Sequence, residues 1–154
     1  MVIEAETHPV NVLVAIDPSE KSWKAFRVAV DFAKSHTGAT LLILHVVHRL
    51  PMPVTGDMAQ SAYIVMEQED GLVEAGKTLI HKAVAEAKEM GLSSTEGLLE
   101  IGSPVEVILS MAAKKKADVI ILGNRGMGFR QGVLLGSVSN RVVANSPVTV
   151  IVVK

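Results

Sequence analysis

The chain has 154 residues, a length typical of one domain that buries about 70% of the surface its unfolded form would expose. Hydrophobic residues make up 49% and aromatic residues only 3%, so the core has to be aliphatic, as is usual for buried parallel strands. A formal net charge of -1 offers no general attraction for nucleic acid or anionic lipid, and the lack of cysteine excludes disulfides and thiolate metal sites.

The first ten residues lack the basic and apolar segments of a signal peptide. No apolar run approaches the roughly 18 residues that a membrane span needs. We therefore expect a cytoplasmic protein without a nucleic-acid or membrane partner.

Short aliphatic runs along the chain predict buried strands, because they are rich in branched residues and do not alternate with polar ones. The intervals between them carry helical periodicity. The first helix is predicted to start after a cap at Ser19, and the third at a capping box formed by Ser103 and Glu106. The predicted strands are 10–16, 40–47, 98–101, 117–122 and 148–153, and the predicted helices end near residues 38, 90, 115 and 145.

The second helix is predicted to begin at residue 70, after a stretch, 50–62, that is broken by Pro51, Pro53 and Gly56. We expect this stretch to be a mobile loop. Strands that alternate with helices predict a single α/β domain over residues 1–154. Its sheet is expected to be open, doubly wound, parallel and five-stranded, with helices on both faces and the Rossmann-like strand order 3-2-1-4-5.

A glycine-rich segment follows the strand 117–122 and ends where the last helix begins, at Ser137. Ligands of open parallel sheets bind at the carboxyl ends of the strands. Glycine lets backbone N–H groups approach an anion closely, and a helix start adds unpaired N–H groups and the positive end of its dipole. The segment therefore predicts a phosphate site, although a flexible connection is the alternative. Further donors are Arg125 and Arg130 within the segment and Ser139 just after it.

The spacing Gly123-x2-Gly126-x9-Gly136-Ser137 matches the motif G-2x-G-9x-G-[S/T] of ATP-binding universal stress proteins. The resemblance extends over nearly the whole chain: a first strand that ends at Asp17, a second that reads Leu44-His45-Val46, Gly102-Ser103-Pro104 before the third helix and Pro147-Val148 before the last strand. The chain therefore resembles the ATP-binding branch of that family.

The resemblance implies that Asp17 and the backbone of Val46 hold adenosine, and that the glycine motif takes the ribose and phosphates, with magnesium or manganese bridging the phosphates. From the sequence alone, Asp17 is also a candidate helix cap. No catalytic residue and no protein metal ligand is predicted. The residues expected to contact ATP are Ala15, Ile16, Asp17, Val46, Leu122, Gly123, Arg125, Gly126, Gly136, Ser137, Val138 and Ser139.

The function expected from this resemblance is regulation that depends on bound ATP, with slow hydrolysis at most.

The last strand, with Val148 and Val153 at its ends, is almost wholly apolar and is expected at the edge of the sheet. It predicts a homodimer that pairs through this strand, as the family does. A further protein partner stays possible, and a dimeric scaffold without nucleotide is an alternative.

A second phosphate-binding pattern competes with this interpretation. The segment from Gly71 to Thr78, which includes Gly76 and Lys77, satisfies the P-loop pattern G-x-x-x-x-G-K-[ST]. No strand precedes it, however, and the acidic run before it would repel phosphate. A P-loop NTPase is therefore kept as the alternative function.

Overall fold

The computed structural model describes residues 9–49, 51, 58–126 and 135–154. Strands and helices alternate along this part of the chain. The strands are β1 (Asn11–Ala15), β2 (Thr40–His48), β3 (Thr95–Gly102), β4 (Val119–Gly123) and β5 (Thr149–Val153). The helices are α1 (Glu20–Lys34), α2 (Met58–Glu89), α3 (Pro104–Lys114) and α4 (Ser137–Asn145).

The five strands form one parallel sheet in the order β3-β2-β1-β4-β5. This confirms the predicted topology. From β1 the chain proceeds outward through β2 to β3, and it then crosses back to add β4 and β5 on the other side. The topological switch point therefore lies between β1 and β4, where such sheets open a crevice at their carboxyl edge.

Helices cover both faces of the sheet, which is why the strand sequences do not alternate. On one face, Val12 and Val14 pack with Phe26 of α1 and Ala83 of α2. On the other face, Leu13 packs in a cluster that includes residues of α3 and α4. All of these side chains are buried, so β1 is the centre of two aliphatic layers.

Helix α2 is longer than its sequence pattern predicted. It begins at Met58 rather than at residue 70, so the prediction of a loop over 50–62 is wrong for residues 58–62. Residues 50 and 52–57 of the predicted loop lie outside the described residues. The added turns are rich in Ala, Met, Gln and Glu, which favour helix. Their side chains are mostly exposed, so they carry no clear apolar stripe.

The helix ends agree in part with the predicted caps. Ser19 caps α1, since its side chain accepts a hydrogen bond from the Ser22 N–H at 3.3 Å. Ser103 precedes α3 but makes no side-chain cap hydrogen bond, so the predicted capping box is wrong. Pro104 begins this helix with a φ angle already suited to it.

None of the helices in the described ranges has both the length and the apolarity to cross a bilayer.

Candidate functional site

A cavity of about 450 Å³ lies at the carboxyl edge of the sheet, beyond the ends of β1, β2 and β4. The start of α4 and one side of α2 contribute to its walls. All twelve residues predicted to contact the ligand line this cavity. They are Ala15, Ile16, Asp17, Val46, Leu122, Gly123, Arg125, Gly126, Gly136, Ser137, Val138 and Ser139.

The carboxylate of Asp17 is held in a fixed orientation between β1 and α1. Its Oδ1 accepts a hydrogen bond from the Ser19 N–H at 2.8 Å, and the Asp17 N–H donates to Ser22 Oγ at 2.7 Å. Because Ser19 is the helix cap, Asp17 supports the cap from outside the helix instead of serving as the cap itself. Oδ2 is the oxygen directed toward Gly126.

Position 126 requires glycine because a side chain there would lie too close to the carboxylate of Asp17. A Cβ atom at this position would lie 2.8 Å from Asp17 Oδ2. The φ angle of Gly126 is outside the left-handed region, so conformational freedom is not the reason for glycine here. Any side chain at position 126 would have to displace the carboxylate.

The other two glycines of the motif have different surroundings. A Cβ atom at Gly123 would lie 2.8 Å from the carbonyl carbon and oxygen of Lys21, in the first turn of α1. At Gly136 the nearest atom, the Cα of Arg125, would be 3.4 Å away. Gly123 is therefore needed for the packing of α1 against the end of β4, whereas the protein itself has room for a methyl group at Gly136.

The N-terminus of α4 opens toward the cavity. Gly136 is its cap residue and provides no side-chain cap hydrogen bond to the first turn. The Asn140 N–H closes the first helical bond to the Gly136 carbonyl at 2.9 Å. The N–H groups of Ser137 and Val138, which precede it, belong to cavity-lining residues. Such a helix start favours an anion.

Ser139 has a structural contact that the sequence did not indicate. Its hydroxyl donates to the Gly123 carbonyl at 2.8 Å, and the side chain is buried. This hydroxyl ties α4 to the end of β4 and is less suited to a ligand than the exposed Ser137. The predicted donor Arg130, with Gly128 and Gly132, lies outside the described residues.

The backbone of Asn124 connects the glycine motif to β5. Its N–H donates to the Val153 carbonyl at 2.7 Å, and its carbonyl accepts from the Gly136 N–H at 2.7 Å. The two sides of the glycine-rich segment are thus joined at a residue that also bonds to the last strand.

A largely apolar part of the cavity wall was not predicted from the sequence. α2 presents one helical stripe to the cavity, and only its tertiary placement over the carboxyl edge reveals this. The Ser22 side chain was also missed, although its position three residues after the Ser19 cap was a usable signal. The missed residues include Pro18, Ser22, Val47, His48, Leu72, Ala75, Gly76, Leu79, Pro104 and Ile108.

The P-loop interpretation is wrong because its residues lie inside α2. Lys77 Nζ forms an exposed ion pair with Glu74 Oε1 at 2.6 Å, one turn earlier. A Cβ atom at Gly76 would lie 2.8 Å from His45 Cδ2 and from Leu99 Cδ1, so this glycine serves close packing of α2 on the sheet. A P-loop instead follows a strand directly and wraps phosphate with its backbone.

The chain is similar to known proteins in both sequence and fold. The model of the universal stress protein family matches residues 10–154. A universal stress protein of Thermus aquaticus, encoded in the QAH/OAS sulfhydrylase 3' region, is 34% identical over 145 residues, covering 94% of this chain and 98% of that protein.

Solved structures agree with the sequence matches. The universal stress protein UspA from Lactobacillus plantarum superposes with a TM-score of 0.84 at 25% identity, covering 97% of this chain and 100% of that one. A universal stress protein in complex with cAMP has a TM-score of 0.70 at 27% identity, covering 94% of this chain and 97% of that one.

Proposed function

The chain belongs to the universal stress protein family, and on that premise we propose that it is a regulatory protein whose ligand is ATP. The observation that carries the proposal is the single cavity wall that Asp17, Val46 and the start of α4 share. Asp17 and Val46 offer a carboxylate and strand backbone, and the start of α4 offers helix N–H groups. A nucleotide has the same polarity, with a base and ribose at one end and phosphates at the other.

At the adenosine end, the fixed carboxylate of Asp17 supports the proposal. Its Oδ1 is occupied by the Ser19 N–H, so Oδ2 is the atom suited to accept from a ribose hydroxyl or an amino group. Val46 lines the same cavity, and we propose that its backbone N–H and C=O supply a donor and an acceptor for a base edge.

At the phosphate end, the open first turn of α4 and the exposed Ser137 hydroxyl favour an anion. The space at Gly136 allows ligand atoms to come close to the backbone. We propose that magnesium or manganese accompanies the triphosphate. Such an ion retains several waters and binds phosphate oxygens, so its presence does not require a protein cage.

We propose binding, with at most slow hydrolysis, as the activity. Efficient attack on the terminal phosphate needs a positioned base for the water. Asp17 is the carboxylate among the described lining residues, and its Oδ1 already accepts the Ser19 N–H. We further propose that bound ATP controls the protein's conformation or its choice of partner, and that the protein acts in the cytoplasm.

We also propose a homodimer that forms through residues 148–153. β5 pairs with β4 and lies at one end of the sheet. Its residues from Val150 onward are only partly buried. An apolar edge of this kind invites pairing with a second copy, and two-fold symmetry is the commonest way to satisfy it.

The experiment that tests the function is identification and titration of the ligand. Mass spectrometry of the denatured purified protein should release an adenine nucleotide. Calorimetry with ATP, cAMP, adenosine and GTP should give the tightest binding for ATP. Failure of every adenine compound to bind would refute the proposal and leave the nucleotide-free scaffold, while tighter binding of cAMP would change the ligand but keep the site.

A further inference from the structure

The ladder between β1 and β2 ends at a defined point next to the cavity. Its last register pair is Ala15 with Leu44, and the Ile16 N–H still donates to the Leu44 carbonyl at 2.8 Å. In a continued parallel ladder, the next bond would run from the Val46 N–H to the Ile16 carbonyl. No such bond is formed among the backbone groups of the described residues.

A side chain takes that place. His45 Nδ1 lies 2.8 Å from the Ile16 carbonyl oxygen. A carbonyl can only accept, so Nδ1 must carry the proton and donate it. Ile16 is 3% exposed, and a buried carbonyl needs a partner. His45 therefore satisfies the carbonyl at the point where β1 leaves the sheet toward α1.

The strand that carries Val46 does not leave the sheet at this point. β2 remains paired with β3 as far as His48 and Gly102. N–H and C=O groups of alternate residues point to the same side of a strand, so those of Val46 face the β1 side, as the Leu44 carbonyl does. Val46 thus presents a donor and an acceptor in strand geometry, on the wall of the cavity.

We propose that His45 is a positioning residue for recognition of a purine base. By holding the Ile16 carbonyl, it leaves the Val46 N–H available to an acceptor of the base edge. The Val46 C=O is available to the adjacent donor independently of His45, because residue 18, its partner in a continued ladder, is a proline without an N–H. The imidazole is held in place by α2, since a Cβ atom at Gly76 would lie 2.8 Å from His45 Cδ2 and 3.4 Å from Nε2. The identity of the ligand rests on the proposed function. The effect of His45 on Val46, however, exists in the free protein.

The test uses amide hydrogen exchange of the full chain, followed by nuclear magnetic resonance. In the free wild-type protein, the Val46 amide should exchange faster than the Leu44 amide, which lies inside the ladder. Adenosine should slow the Val46 amide. In His45→Leu the released Ile16 carbonyl should pair with Val46, which should slow its exchange in the free protein and weaken adenosine binding by about tenfold, the scale of one hydrogen bond.

His45→Asn is the matched variant, because its side-chain amide can place a donor near the position of Nδ1. It should keep fast Val46 exchange and retain adenosine affinity within about threefold. If His45 acted only through the packing of its ring, His45→Asn would lose affinity as His45→Leu does. Val46 exchange in the wild type as slow as that of Leu44 would overturn the inference even if His45→Leu failed to fold. So would a folded His45→Leu protein with unchanged exchange and affinity.

The two levels of the proposal fail in different ways. A wild-type protein that ignores adenosine but shows fast Val46 exchange, which His45→Leu abolishes, would refute the nucleotide function and retain the role of His45. Normal adenosine binding with no effect of His45 on Val46 would refute only the positioning role.

Discussion

Oδ2 of Asp17 lies 2.8 Å from the position that a Cβ atom would take at Gly126. The first carboxylate oxygen is meanwhile fixed by the Ser19 N–H. A methyl group at position 126 would therefore shift the Asp17 carboxylate, and with it the proposed adenosine contact as well as the proposed phosphate contact.

We predict that Gly126→Ala weakens both adenosine and ATP by about tenfold, because displacing the carboxylate removes a charge-assisted hydrogen bond. The measurement is a calorimetric double-mutant cycle with Asp17→Ala. In the Asp17→Ala background the same glycine substitution should change the affinity for adenosine and ATP only slightly, because the carboxylate through which it acts is already absent. Equal losses in both backgrounds would show that Gly126 acts independently of Asp17.

Asp17 and Ser137 should differ in the part of the ligand that they affect. Asp17→Ala should reduce the preference for ATP over GTP. Ser137→Ala should weaken ATP more than adenosine by about 1 kcal/mol, the net value of one hydrogen bond. Calorimetry of the three ligands with each variant checks both statements, and the opposite pattern would reverse the proposed orientation of the nucleotide.

Gly123 should matter for stability before it matters for binding. Its missing Cβ atom would meet the backbone of Lys21 at 2.8 Å, so Gly123→Ala should lower the free energy of unfolding by about 1–3 kcal/mol through overpacking. Gly71→Ala is the control, because nothing lies within 4 Å of its missing Cβ atom in α2. It should raise stability by about 0.5–1 kcal/mol. Urea unfolding of both variants measures the difference, and an equally stable Gly123→Ala protein would contradict the packing.

Lys77 should be dispensable for nucleotide binding. Its ion pair with Glu74 is exposed at both side chains, and such pairs contribute about 0–1 kcal/mol. Lys77 is also not among the described residues that line the cavity, so Lys77→Ala should leave ATP affinity within about twofold, less than the loss of one hydrogen bond. Loss of ATP binding in this variant, with the circular dichroism of the folded protein retained, would contradict this prediction and show that Lys77 contributes to binding from α2.

The proposed dimer makes β5 sensitive to charge. Val150→Lys should convert the protein from dimer to monomer in light scattering at micromolar concentration, because a lysine on an edge strand opposes strand pairing. Ile101→Lys, on the opposite edge strand β3, is the matched control: Ile101 is 41% exposed and belongs to the other end of the sheet. A wild-type monomer, or equal effects of the two lysines, would exclude pairing through β5.

The sequence was sufficient to predict the sheet because its aliphatic runs are short and separated by helical periodicity. The glycine motif then indicated where the site lies, and all twelve predicted site residues line one cavity. Local capping was less predictable: Ser19 accepts the expected bond, whereas Ser103 does not. A pattern of residue types fixes which groups can bond, but the choice among partners is made by the backbone around them.

The remaining features depend on tertiary placement. The start of α2 at Met58 could not be predicted, since its exposed turns have no apolar stripe. The reason for glycine at position 126 is the carboxylate of Asp17, 109 positions earlier in the chain, and no local pattern encodes that distance. The bond from His45 to the Ile16 carbonyl is equally invisible in the sequence, because it depends on where β1 leaves the sheet.

Asn124 bonds through its N–H to the final residue of β5 and through its carbonyl to the cap residue of α4. A ligand at the start of α4 and a contact along β5 therefore act on the same short piece of backbone. If ligand binding changes the affinity of the contact along β5, thermodynamic linkage requires that the contact change the ligand affinity by the same factor. If the proposed nucleotide and the proposed dimer are coupled through Asn124, the amount of nucleotide that the protein holds would depend on the protein's own concentration.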